Sequence, residues 1–250
     1  NSGGALKLAS SEEIASLAGA GLVNLQGNTL TLSGGTSANT TYSGVMSGAG
    51  MLVKNGSSVF TLAGSNTFSG GINFSNGAIQ LGNNAALGTG TLTATGGRIS
   101  SDSTTSRTAS NAVVISGTVT MGDLVNRGTL TLSGNVAMAG VTSLNVLSSS
   151  TLGGVVSGTS NLVKQGASEL TLSGVNTYTG QTLVNGGTLT LAGGSALVNT
   201  MAVTLTGSGT LKLAGSEEIA SLGGSGLVNV QGNTLTLSGT ASTTLTAALV

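Results

Sequence analysis

Residues 162–191 read LVKQGASELTLSGVNTYTGQTLVNGGTLTL. Leu170, Leu172, Leu189 and Leu191 alternate with Thr171 and Thr190, a period of two that places leucines on one side of a strand and threonines on the other. Each run spans only a few residues before Gly or Asn closes it. The Gly after each run, and the Asn-Gly pairs at Asn55, Asn76 and Asn185, are expected to supply the positive φ angles of sharp turns. The same phrase, Leu-Thr-Leu-Ser-Gly, begins at Leu30, Leu130, Leu170 and Leu235, with variants at Leu189, Val203 and Leu211.

Two longer repeats enclose these phrases. Leu162 to Leu191 aligns with Leu52 to Leu81, with 13 of 30 positions identical, among them Lys54 and Lys164, Gly56 and Gly166, Asn66 and Asn176, Gly70 and Gly180, and Gly77 and Gly187. Leu6 to Ser33 returns at Leu211 to Ser238 with four substitutions, the mark of a recent duplication. Internal repeats built from short one-sided strands, with no helical spacers for βαβ units, are read most simply as rungs of a solenoid.

The expected fold is therefore all-β, a single parallel β-helix over residues 1–250. Leu30, Leu32, Leu62, Leu81, Leu130, Leu132, Leu170, Leu172, Leu189, Leu191, Leu235 and Leu237 are expected to point inward. Leu62 to Leu81 and Leu172 to Leu191 span 19 residues, and Leu8 to Leu32 spans 24. At roughly 20 to 24 residues per coil the chain makes about 11 coils, a rod on the order of 50 Å long. The absence of proline agrees, because a central rung needs most of its N–H groups. Ser10 to Leu17 offers a capping-box spacing from Ser10 to Glu13 and so a short helix, which Gly19, Gly21 and Gly27 limit to about one turn. The first residues carry neither the basic nor the apolar region of a signal peptide, and no apolar run approaches the roughly 20 residues of a membrane span. Thr244-Leu245-Thr246 continues the strand alternation, and the segment reads as an internal part of a longer protein.

Composition narrows the function classes. Seven Lys or Arg balance seven Asp or Glu, and Cys, His and Trp are absent. No basic stripe tracks a nucleic acid, no disulfide or thiolate metal site forms, and little material remains for acid–base chemistry. Catalytic, cofactor-binding and metal-binding residues are all expected to be none.

The pattern Leu162, Lys164, Gly166, Leu170, Leu172, Gly174, Asn176-Thr177-Tyr178, Gly180, Thr182, Gly187, Leu189 and Leu191 resembles the passenger-associated transport repeat of autotransporters, the substrates of type V secretion. The earlier copy departs with Phe60, Phe68, Ile72 and Phe74, apolar exchanges that a rung interior absorbs. The Glu-Glu-Ile-Ala-Ser-Leu phrases at Glu12 and Glu217 also resemble segments found between such repeats. The resemblance implies a right-handed β-helix on the bacterial cell surface, exported through an outer-membrane barrel elsewhere in the full-length protein. It also implies repeats that help the passenger fold progressively, and a stalk that supports adhesion, self-association or fibre formation. Its expected partners are itself or a surface ligand, and an enzymatic role is not expected.

Five residue sets raise alternative chemistry. Asp102 and Asp123 lie 21 residues apart, so on successive rungs beside Arg98, Arg107 or Arg127 they would form the acid cluster of a polysaccharide lyase or a calcium site. Gly48-Ala49-Gly50 precedes a strand and so fails as a dinucleotide loop, and nonapeptide calcium repeats lack their Asp. Lys54 and Lys164 are expected at the surface, as charges that discourage edge pairing or as an anion site. Thr-x-Thr pairs at Thr29, Thr91, Thr129, Thr188, Thr204 and Thr234 suggest the outward threonines of an ice-binding β-helix, though irregular spacing is expected to scatter them over different faces. Tyr42, Tyr178 and Phe68 are expected to fill turns or core rather than to stack on sugars.

Overall fold

The computed structural model describes residues 3–240, 244, 246 and 248–250; Leu245 lies outside the described residues. The chain is all-β, with parallel strands stacked as a β-solenoid of about 12 turns. Its one helical element among the described residues is a 3₁₀ turn at Thr36–Ala38. Ser10 to Leu17 forms the strand Glu12–Ile14 rather than a helical turn. Among the described residues no helix is long and apolar enough to cross a membrane.

Three ladders of parallel strands run along the axis. The first passes through Thr29–Leu32, Met51–Lys54, Ile72–Phe74 and Leu92–Ala94. The second passes through Val59–Leu62, Ala78–Leu81 and Arg98–Ser101, and later through Leu162–Gln165, Thr182–Val184 and Ala202–Leu205. Two long strands, Val113–Met121 and Val136–Val146, cross both ladders around a register shift after Ile115. The third ladder stacks Arg107–Ala109, Leu130–Leu132, Ser150–Leu152, Glu169–Leu172, Thr188–Leu191 and Thr210–Leu213 in unbroken register.

Ten of the twelve leucines expected inside are buried, each at most 1% exposed. Leu237 is 51% exposed and Leu235 is only partly buried, because their strand pairs on one side only, with Glu217–Ile219. Offsets between paired residues run from 17, as in Ala5 with Leu22, to 25, as in Gly117 with Thr142. The spacing of 24 from Leu8 to Leu32 is no coil length, because the two do not stack on each other. In that segment Leu6 stacks on Val23 and Ile14 on Leu32, which adds about one turn to the count expected from the sequence. The duplicated segment folds alike twice, since Leu211 stacks on Val228 and Ile219 on Leu237.

The closing glycine of the recurrent phrase has another purpose than the one expected. Gly134 and Gly174 have no positive φ, but a Cβ on either would overlap a backbone carbonyl oxygen of the coil beneath, that of Asn111 or Gly154. Close approach of stacked corners, not a left-handed conformation, requires glycine there. Of the three Asn-Gly glycines only Gly77 adopts positive φ, at 74°; Gly56 and Gly186 do not, and in the second copy it is the following Gly187 that does, at 61°.

Candidate functional site

The two copies of the longer repeat bury the same polar side chains. Leu162 and Lys164 stand two residues apart on one strand, as do Leu52 and Lys54, so the period that sends leucine inward sends lysine inward too. Both lysines are 0% exposed, which corrects the expectation of surface charges; no anion site opens around them. Lys164 Nζ donates to the carbonyl oxygens of Gln165 and Gly166 in its own coil and of Gly186 in the next, each at 2.9 Å. Lys54 Nζ donates to Gly56 O and, at 3.3 Å, to Asn76 O. Burial lowers each ammonium to a pKa of about 8, while the carbonyls supply the partners a buried cation needs. The lysine thus clamps two turns in successive coils.

Asn176 spans three coils. Its Oδ1 accepts the Val156 N–H of the preceding coil at 2.7 Å, and its Nδ2 donates to Ala196 O of the following coil at 2.7 Å. Asn66 repeats this between Met46 N and Ala86 O, at 2.8 and 2.6 Å. Both amides are at most 3% exposed. Two residues further on in the same coil, Tyr178 Oη lies 2.7 Å from Thr182 Oγ1 in the core. In the other copy the matching residues are Phe68 and Ile72, so the two hydroxyls are present or absent as a pair. Burial raises the Tyr178 hydroxyl pKa. Phe68 and Tyr42 are likewise core residues.

These two segments, residues 52–81 and 162–191, match the family model of the passenger-associated-transport-repeat. The chain carries two passenger-associated transport repeats. That is consistent with an autotransporter passenger domain. No curated protein and no solved structure matches the chain. In both passenger repeats the matched segment contains the lysine clamp, the bridging asparagine and a buried aromatic residue, Phe68 or Tyr178.

The candidate acids are arranged differently from the sequence expectation. Arg98 pairs with Thr120 across the rungs, an offset one residue longer than the spacing of the aspartates, and each acid has its own arginine. Asp123 Oδ2 meets Arg98 at 2.8 Å, while its Oδ1 accepts Val125 N and Asn126 N. Asp102 Oδ1 meets Arg107 at 3.1 Å, and Arg107 Nε also donates to Leu81 O. Arg127 Nε donates to Leu124 O. These groups close loops. Among the described residues no cluster of three metal-ligating side chains exists. Glu217 accepts Ala196 N and Leu197 N, at 3.1 and 2.8 Å; burial raises its carboxyl pKa and these two bonds oppose the rise. Gly48-Ala49-Gly50 leads into the strand Met51–Lys54.

The one signal that would have located the clamps was the phase of the alternation: Leu-x-Lys places lysine wherever it places leucine. The carbonyls that receive the lysine come from turns 2 and 22 residues away, and nothing in a single strand announces the distant one.

Proposed function

We propose that this chain is a non-enzymatic stalk segment of a bacterial surface-exposed autotransporter passenger, in which the passenger repeats fasten consecutive coils together. The observation that carries this reading is the duplicated lysine clamp: two segments of the same repeat each bury a cation whose acceptors lie in two successive coils. Incoming coils dock on polar groups already presented by the folded ones, as a passenger that emerges progressively from a pore requires. The rod so formed supports adhesion, self-association or fibre formation, and a formal net charge of zero leaves little long-range repulsion between rods.

Surface display of the full-length protein is the direct test. Protease shaving of intact cells is expected to release the passenger. Lys54→Met together with Lys164→Met is expected to reduce displayed passenger while the membrane-embedded portion stays at its normal level. Retention of the wild-type chain inside the cell would sink the reading. Self-association is tested separately by light scattering across concentration at low salt, where a strictly monomeric rod would remove fibre formation and leave the stalk. Screening on uronates and glucans addresses the lyase alternative, for which the separate ion pairing of Asp102 and Asp123 gives no support.

A further inference from the structure

The outward side of the third ladder bears a lattice of hydroxyls that the clamps do not use. Thr108 stacks on Thr131, Thr131 on Thr151, Thr151 on Thr171 and Thr171 on Thr190, so five threonines from five consecutive coils stand in one column. Adjacent strands lie about 4.8 Å apart, which makes the column roughly 19 Å long. Two residues earlier, about 6.6 Å away, the registers stack Glu169 on Thr188 and Thr188 on Thr210, and the threonine column itself ends where Thr190 stacks on Lys212. The Thr-x-Thr pairs at Thr29, Thr91 and Thr204 do lie on other ladders, as their irregular spacing predicts. The column is completed instead by Thr151 and Thr171, which belong to no such pair.

Three features set this face apart from an ordinary solvated strand. Its register is unbroken across six strands, whereas the neighbouring ladders are crossed by a shift. Its middle rungs, residues 129–133 and 149–153, carry no charge. The Thr190 hydroxyl is held within the protein by Glu169, but those of Thr108, Thr131, Thr151 and Thr171 meet no protein acceptor among the described residues. β-Branched side chains stacked in this way lose rotamer freedom, so the column presents hydroxyls and methyls at a regular repeat. Glu169 and Lys212, at the end of the face, lie 3.6 Å apart and balance each other, so the face has no net charge to attract a polyanion, and its backbone groups are already paired, so it cannot add a peptide strand. It is complementary to a neutral surface that itself repeats.

We propose that this face binds ice. The rung spacing is close to the distance between equivalent oxygens along the a axis of hexagonal ice, so the threonine hydroxyls take the places of surface waters while the methyls fill the gaps. The proposal does not depend on the passenger reading and stands or falls by itself. Ice recrystallisation and thermal hysteresis of the 250-residue chain are the measurements. The wild-type protein is expected to inhibit recrystallisation and to open a hysteresis gap. Thr151→Lys and Thr131→Lys, both outward and half-buried, are expected to abolish both effects with circular dichroism unchanged; Thr93→Lys, on the first ladder, is expected to retain them. If either lysine variant unfolds, Thr151→Val, which keeps shape and removes the hydroxyl, is expected to weaken the gap. A wild-type protein without either effect overturns the proposal, and so does an equal loss in Thr93→Lys.

Discussion

At the scale of single residues, the buried lysines contribute both cost and cohesion. Removing a charge from water is expensive unless hydrogen bonds replace the lost hydration, and Lys164 receives three carbonyls in exchange. Lys164→Met should strand those carbonyls and destabilise the protein by about 2–4 kcal/mol, measured as a lower urea midpoint. The titration has a definite sign. With a folded-state pKa of about 8 against 10.5 for the free side chain, the unfolded chain binds more protons between these values. Stability therefore rises with pH across that window, by up to about 3 kcal/mol per lysine. Above about pH 10 it falls again, because the tyrosine hydroxyls whose pKa values burial raises, Tyr42 and Tyr178, ionise first in the unfolded state. Urea midpoints from pH 7 to 11 should show this maximum, and Lys54→Met with Lys164→Met should erase the rising limb. The hydroxyl pair offers an independent check. Tyr178→Phe leaves the Thr182 hydroxyl only the weak acceptor Met201 Sδ, at 2.9 Å, and should cost about 1 kcal/mol; adding Thr182→Ile, the combination present in the other repeat, should restore most of the loss. A double variant no more stable than the single one would refute that account of the core.

At the scale of strands and corners, the spacing of rungs is enforced where the chain turns. A Cβ on Gly154 would overlap the Gly134 carbonyl, while one on the adjacent Gly153 would make ordinary contact with Ser133. Gly154→Ala should therefore destabilise by about 2–3 kcal/mol and Gly153→Ala by under about 0.5 kcal/mol, a contrast readable from paired thermal melts. These corners also show what a linear sequence conveys. The alternation in Leu-Thr-Leu-Ser-Gly reveals the strands and nearly all of the inward leucines, because a period of two is a property of one strand. Stacking offset is a property of two coils, so the spacing of 24 from Leu8 to Leu32 joined positions that the structure places on different strands. The role of Gly134 and Gly174 was hidden for the same reason, since the atom each must avoid lies about 20 residues away. Lys54 and Lys164 are in phase with Leu52 and Leu162, but the carbonyls that make an inward charge tolerable lie 22 residues away in the next coil.

Along the whole rod, the two passenger repeats do not sit one above the other. From Lys54 the first ladder climbs through Phe74, Ala94, Ile115 and Met138, and five coils later it passes beside Val156–Ser157. Lys164 comes after that point, on the second ladder, stacked on Leu144. Two copies of one repeat, identical at 13 of 30 positions, thus occupy different sides of the solenoid, so the repeat specifies how a coil grips its neighbours and leaves its orientation about the axis free. Such a rod should behave as a one-dimensional array in which each coil interacts with the coils next to it. The two clamps are separated by about five rungs, on the order of 24 Å, and share no hydrogen-bond partner. Lys54→Met and Lys164→Met should therefore add, the double variant losing the sum of the single losses to within about 0.5 kcal/mol. Urea unfolding of the four proteins in a double-mutant cycle measures this. A double variant that loses much less than the sum would show that one broken clamp already loosens the intervening coils, and that the rod melts as a single block rather than coil by coil.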